Sequence, residues 1–187
     1  MTLEQCRIGI LGGTFDPPHL SHLEMARRVH QLGLVDRVLM VPCFRHAFDK
    51  QPVSFTHRLK MCRCMTADLD FVDVSDAEQY LDTPGRTLAL IEILEKQYPG
   101  CTLRLLVGGD IYLERHQWYR FDLVEQKAPP IYLARAGVDV RGADWLAAPP
   151  SMSSGDIRAR LARGEDVDRL LAPTVMAYIV EHQLYGV

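Results

Sequence analysis

Short apolar runs alternate with segments of helical period along this chain, and no other feature limits its fold as much. The run from Cys6 to Leu11 carries Ile8 and Ile10, is too short for a helix, and stops at Gly12-Gly13. Its length and β-branching predict a buried strand. From His19 to Leu32 the apolar residues Leu23, Ala26, Val29 and Leu32 recur every three or four positions, which predicts a helix. Residues 38–41 read as a second strand stopped by Pro42, residues 56–69 as a helix, and residues 71–74 as a short strand. The pattern repeats with a helix over Thr87–Gln97, a strand over 103–107 closed by Gly108-Gly109, and a strand over 131–134. Two helices follow, 154–163 stopped by Gly164, then one from Pro173 to about residue 183. Such alternation predicts an α/β fold: one doubly wound, mostly parallel sheet with helices on both faces. The loosest stretch, residues 136–150, reads as a long surface connection, and its Trp145 receives no role.

A chain of 187 residues falls within the usual size of one domain, about 100–200 residues, so residues 1–187 are expected to form a single unit. Apolar residues make up 48% and charged residues 24%, the ordinary globular mix, which excludes disordered, collagen-like and disulfide-dense classes. With 21 Lys+Arg against 24 Asp+Glu, the formal charge of −3 argues against a nucleic-acid partner, which needs a basic surplus. No apolar run approaches the roughly 18 residues of a membrane span, so no membrane partner is expected. The cysteines number five, an odd count, and no secretory apolar segment follows Met1. Reduced thiols and a cytoplasmic location are the expectation. Cys62-Arg63-Cys64 lacks a second cysteine pair or a nearby histidine, and reads as ordinary helix sequence rather than a metal site.

In open α/β sheets the chemistry gathers just after the strands, near a switch in strand order. After the first strand comes Gly12-Gly13-Thr14-Phe15-Asp16-Pro17-Pro18-His19-Leu20-Ser21-His22. Two glycines let the backbone approach a bulky anion, and their amides can point at phosphate. Neither the GxGxxG fingerprint nor the GxxxxGK[ST] loop is present. His19 and His22 stand three apart where a helix begins, so both can face one side of its first turn. Two imidazole donors there could stabilise charge building on a transferring phosphoryl group. Two polar helix-start residues, or half a metal site, fit the same spacing. Asp16, before two prolines, reads as a turn-former rather than a base. A second constellation is Met152-Ser153-Ser154-Gly155-Asp156-Ile157-Arg158. Ser153 and Asp156 fit a capping box, and Arg158 lies one turn beyond Ser154, able to fork onto phosphate oxygens. Common capping grammar accounts for the same residues.

Together these segments resemble the HxGH nucleotidyltransferase superfamily and its ISSTxIR element. More narrowly, the chain resembles the bacterial nicotinate-nucleotide adenylyltransferases over nearly its whole length. Lys50 after the second strand, Thr87-Leu88, Gly108-Gly109-Asp110, Trp118 and the close Leu184-Tyr185-Gly186 support it. Ser21 stands where HxGH has glycine, and Gly155 where ISSTxIR has threonine. The loop 82–88, reading Asp-Thr-Pro-Gly-Arg-Thr-Leu, also departs from the family's stretch before the third helix.

The resemblance implies a Rossmann-like fold and adenylyl transfer from ATP to nicotinate mononucleotide. Nicotinamide mononucleotide, phosphopantetheine or a non-catalytic nucleotide sensor are the alternatives. His19, His22 and Arg158 would be catalytic. Gly12, Gly13, Thr14, Phe15, Gly108, Asp110, Ser153 and Ser154 would hold ATP. Lys50, Thr87, Trp118 and Arg135 would hold the mononucleotide. Asp110 fits a ribose or a magnesium-bound water, and equally a helix cap. Arg86 could add charge near the acceptor ring or point to solvent. Mg²⁺ is implied as a companion of the ATP phosphates, with no site of its own on the protein.

Overall fold

The computed structural model describes residues 6–44, 52–82, 86–134, 145–147 and 153–187. Lys50 and Arg135, expected to hold the mononucleotide, lie outside these residues. The elements are β1 (Arg7–Gly13), α1 (Leu20–Gln31), β2 (Arg37–Pro42), α2 (Phe55–Thr66), β3 (Val72–Val74), α3 (Thr87–Gln97) and β4 (Thr102–Gly108). They continue with α4 (Gly109–Glu114), α5 (Phe121–Lys127), β5 (Pro130–Ala134), β6 (Trp145–Ala147), α6 (Ser154–Ala162) and α7 (Pro173–Glu181).

The six strands form one sheet in the order β3-β2-β1-β4-β5-β6, and every pairing is parallel. Both faces are covered, so the strands are apolar on both sides. Ile8 and Ile10 of β1, Leu39 and Val41 of β2, and Leu103, Leu105 and Val107 of β4 share one face, packed with α3 and α5 residues such as Ile91, Leu94 and Val124. Leu11, Val38, Met40 and Leu106 face the other way, toward α1, α2, α6 and α7 through Ala26, Met61, Ile157 and Ile179. Helices α1 and α6 stop alike. At α6 the amide of Gly164 (φ +67°) reaches the Leu161 carbonyl at 2.9 Å, and the amide of Glu165 reaches that of Arg160 at 3.0 Å. That pair of bonds needs a left-handed residue after the last turn, the conformation glycine adopts without cost.

Strand order reverses between β1 and β4, and there the ladder parts. β1 follows β2 as far as Gly13↔Pro42 but follows β4 only as far as Leu11↔Leu106. β4 meanwhile continues with β5 to Gly108↔Leu133. The last residues of β1 and β4 therefore diverge, and a crevice opens between Gly12-Gly13 on one side and Val107-Gly108 on the other.

Three elements depart from the sequence expectation. The stretch read as a surface connection contributes a sixth strand, β6, whose Trp145–Ala147 backbone pairs with Tyr132–Ala134. Three residues are too few to carry a periodic signal. Two short helices, α4 and α5, occupy a stretch left unassigned, although Phe121, Val124 and Ala128 have helical spacing and are buried. Cys62 is buried in the core, where burial pushes its thiol well above the ordinary range. It is a core residue of α2.

Arg58 is the unexpected member of that core. It sits one turn before Met61 and Cys62 on the buried face of α2 and is only 1% exposed. Its guanidinium donates to the carbonyls of Thr14 (2.7 Å), Cys43 (2.8 Å) and Val53 (3.0 Å). One buried cation thus joins the loops that follow β1 and β2 to the start of α2. Removing it leaves three carbonyls poorly satisfied, at roughly 1 kcal/mol or more each. Arg58→Met should therefore lower unfolding stability by about 3 kcal/mol, read as the shift in urea midpoint at constant slope.

Candidate active site at the switch crevice

The loop from Gly12 to His19 forms one wall of the crevice. A Cβ at Gly12 would meet no atom within 4 Å, so the backbone there faces open space. Phe15 takes a left-handed conformation (φ +51°) that turns its side chain inward, where it is 2% exposed. Its ring meets His22 edge-on at 4.8 Å between centroids. Phe15 was expected to hold ATP; its side chain is part of the core.

His19 is the N-cap of α1 rather than its first residue, and it is buried at 4% exposure. The backbone N–H of His19 donates to Nδ1 of His22 at 3.1 Å. A ring nitrogen that accepts carries no proton, so the neutral His22 ring bears its hydrogen on Nε2. The two imidazoles stack with centroids 3.7 Å apart and planes at 26°. The spacing argument for a shared face therefore holds. Two amides of the first turn are bonded within the chain. The Leu20 amide is taken by the Leu170 carbonyl at 2.9 Å, and the His22 amide by the His19 carbonyl at 2.9 Å.

The start of α6 is docked onto this loop. Ser154 Oγ donates to the Pro17 carbonyl at 2.9 Å, and Arg158 Nη1 donates to the Asp16 carbonyl at 2.6 Å. Ser153 caps the helix as expected: its Oγ accepts from the Asp156 amide at 3.0 Å and donates to Asp156 Oδ2 at 2.7 Å. Both serine hydroxyls donate within the chain, Ser153 to Asp156 and Ser154 to Pro17. What helix geometry leaves for an anion at this end is the backbone amides of Ser154 and Gly155.

Asp16 is more than a turn-former. Its carboxylate is almost buried, accepts from the Tyr185 hydroxyl at 2.7 Å and from the Val53 amide at 3.3 Å, and lies 3.4 Å from Arg158 Nη1. Burial, and then the bond to Asp16, push the Tyr185 phenol far above its ordinary range, so it remains a donor. Sequence reasoning missed Arg58 and the role of Tyr185. A readable signal existed for Arg58, a charge on the apolar stripe of a helix.

The second cluster lies beyond β4 and at the start of α3. Gly108 is the N-cap of α4, and Asp110 falls in its first turn. Trp118 packs edge-on against Phe121 at 5.8 Å and is partly buried against the core. Arg86, the N-cap of α3, is exposed, yet its guanidinium lies over the Tyr119 ring at 4.3 Å. Thr87 is the first residue of α3. Arg86 is thus exposed, as the solvent reading has it, with its cation lying over the ring of an exposed tyrosine.

Comparison with known proteins gives this arrangement its context. A cytidylyltransferase-like family model matches residues 10–160. The chain is 41% identical over 182 residues to an Anaeromyxobacter dehalogenans protein named "Probable nicotinate-nucleotide adenylyltransferase", covering 95% of this chain and 96% of that one. A Myxococcus xanthus protein of the same name is 35% identical over 183 residues, covering 96% and 95%. Among solved structures, a Plasmodium falciparum nicotinic acid mononucleotide adenylyltransferase complexed with NaAD superimposes with a TM-score of 0.81 at 19% identity, covering 96% of this chain and 97% of that one. With glycine loop, paired histidines and docked α6 meeting at one crevice, the chain belongs to the cytidylyltransferase-like family and, within it, to the nicotinate-nucleotide adenylyltransferases.

Proposed function

We propose that this protein transfers the adenylyl group of ATP to nicotinate mononucleotide, forming deamido-NAD and releasing pyrophosphate. One observation carries the reading. Ser154 and Arg158 dock α6 onto the loop that presents His19 and His22, which puts both candidate phosphate-binding motifs at the crevice between β1 and β4. A phosphate oxygen of the mononucleotide attacks the α-phosphorus in line, and the bond from that phosphorus to the β-phosphate bridging oxygen breaks. Such chemistry needs positioning and charge neutralisation rather than a covalent nucleophile.

In this reading the Nε2–H of His22 donates to an α-phosphate oxygen as charge grows on it, with His19 stacked behind to hold the ring. Gly12, Gly13 and Thr14 offer backbone to the triphosphate, and Gly108 and Asp110 border the ATP ribose. The Ser154 and Gly155 amides and the Arg158 guanidinium receive the β,γ end and the leaving pyrophosphate. Magnesium bound with ATP would be held through the phosphate oxygens and would supply charge neutralisation for the leaving group. The carboxylate of this cluster, Asp16, is engaged by Tyr185 and Val53, which fits a metal carried by the nucleotide. Trp118 is the platform for the pyridine ring. Thr87 and Arg86 lie on the side where a ring carboxylate would be received, and Lys50 and Arg135 are assigned to the mononucleotide phosphate. The five free cysteines fit a cytoplasm that keeps thiols reduced.

The histidine role separates from the cap. His22→Asn keeps an oxygen where Nδ1 accepts the His19 amide but has nothing in place of Nε2–H. It should stay within about 0.5 kcal/mol of wild-type stability while kcat falls by about 10²–10³, as for loss of one oxyanion donor. Equal kcat in the two proteins removes His22 from the reaction. Arg158→Lys retains charge but not the fork, and should raise KM for ATP by about tenfold with KM for the mononucleotide unchanged. For the acceptor, wild-type enzyme given nicotinate and nicotinamide mononucleotides at equal concentration should favour the acid by at least about tenfold, a difference of about 1.4 kcal/mol. Product masses read this ratio directly. Arg86→Ala should reduce it, because the cation over Tyr119 faces the ring carboxylate.

A further inference from the structure

Tyr185 reaches the crevice by an unusual path. After α7 the chain reverses through Gln183 (φ +52°) and Tyr185 (φ +62°), around a 3₁₀ turn over Leu184–Gly186. Two non-glycine residues in the left-handed region cost free energy, of order 1 kcal/mol each, that their surroundings must repay. The turn lies against α6, where a Cβ at Gly186 would come within 3.9 Å of the Ala162 Cα. It delivers the Tyr185 hydroxyl to Asp16 Oδ1 at 2.7 Å.

Asp16 divides its oxygens. Oδ1 accepts from Tyr185 and Val53, and Oδ2 lies 3.4 Å from Arg158 Nη1, whose stronger bond goes to the Asp16 carbonyl at 2.6 Å. The guanidinium is thus held by its Nη1 edge. Its Nη2 edge lies over the first turn of α6, where a Cβ at Gly155 would be 4.0 Å away. Carboxylate and phosphate compete for the same planar fork. An Asp16 side chain released from Tyr185 would be drawn into a closer, two-pronged pair with Arg158, at the expense of the nucleotide.

We propose that Tyr185 is a positioning residue for the phosphate site: by holding Asp16 Oδ1 it prevents Asp16 from pairing fully with Arg158, and so keeps the Nη2 edge available to the ATP phosphates. The inference rests on the reading of ATP as co-substrate and deepens it, by adding a residue that touches no substrate.

The test measures ATP binding by calorimetry without acceptor, and KM for each substrate, in wild type, Tyr185→Phe and Tyr185→Phe/Asp16→Asn. Tyr185→Phe should weaken ATP by about tenfold and leave KM for the mononucleotide within about twofold. In the double variant the neutral amide no longer competes for the guanidinium, so ATP affinity should return most of the way to wild type. A merely structural role predicts the opposite sign, the second substitution making binding worse, and that result overturns the proposal. So does wild-type ATP affinity in Tyr185→Phe. Failure of the wild type itself to bind ATP overturns the functional reading instead. If Tyr185→Phe melts below the assay temperature, Asp16→Glu carries the test with the hydroxyl in place. Its longer carboxylate advances onto Arg158 and should weaken ATP to a similar degree, and undiminished affinity there also overturns the proposal.

Discussion

The parting of β1 from β4 is the constraint on which the rest depends. A parallel strand in the middle of a doubly wound sheet has neighbours whose crossovers run in opposite directions, so nothing fills the space at its carboxyl end. Here the ladder shows the opening directly, since β1 keeps β2 for two residues after it has left β4. Gly12-Gly13 and Gly108 lie on its edges, and the first turn of α1 lies at its base. Trp118-Tyr119 is reached by the short helix that leaves the far edge.

An open crevice does not shape itself, and the work of shaping falls to charge held at low exposure. Arg58 binds three carbonyls from beneath, and Asp16 binds Tyr185, Val53 and Arg158 from above. Buried charges are expensive unless fully hydrogen-bonded, and both of these are richly supplied. Between them they fix the path of residues 14–16, the segment from which His19 and His22 follow. The same carbonyls and carboxylate that cost desolvation therefore give the loop a single geometry.

Much of this was legible because periodicity survives in a single sequence. β1, β2, β4 and α3 were all readable from Ile8, Val38, Leu103 and Leu88 and their spacings, and both ends of α3 agree with the structure. Gly164 marked a helix end through a local rule. The paired histidines and Ser153 were readable too, because caps are local chemistry. Long-range events were not. Nothing near Ser154 states that its hydroxyl will be spent on Pro17, and nothing near Tyr185 states that Asp16 will receive it. β6 was invisible because three residues carry no period, and α5 was missed although Phe121, Val124 and Ala128 spelled one.

The contacts that tie α6 and the turn after α7 to the loop after β1 join residues 137, 142 and 169 positions apart. A ribosome adding about 5–20 residues each second needs roughly ten to thirty seconds to cover the longest of these intervals. For that time the loop after β1 exists with its carbonyls and carboxylate in water, while the strands around it can already pair. A nascent chain that has made β1 to β4 but not α6 or the turn after α7 therefore lacks the bonds that Ser154, Arg158 and Tyr185 give to residues 16 and 17.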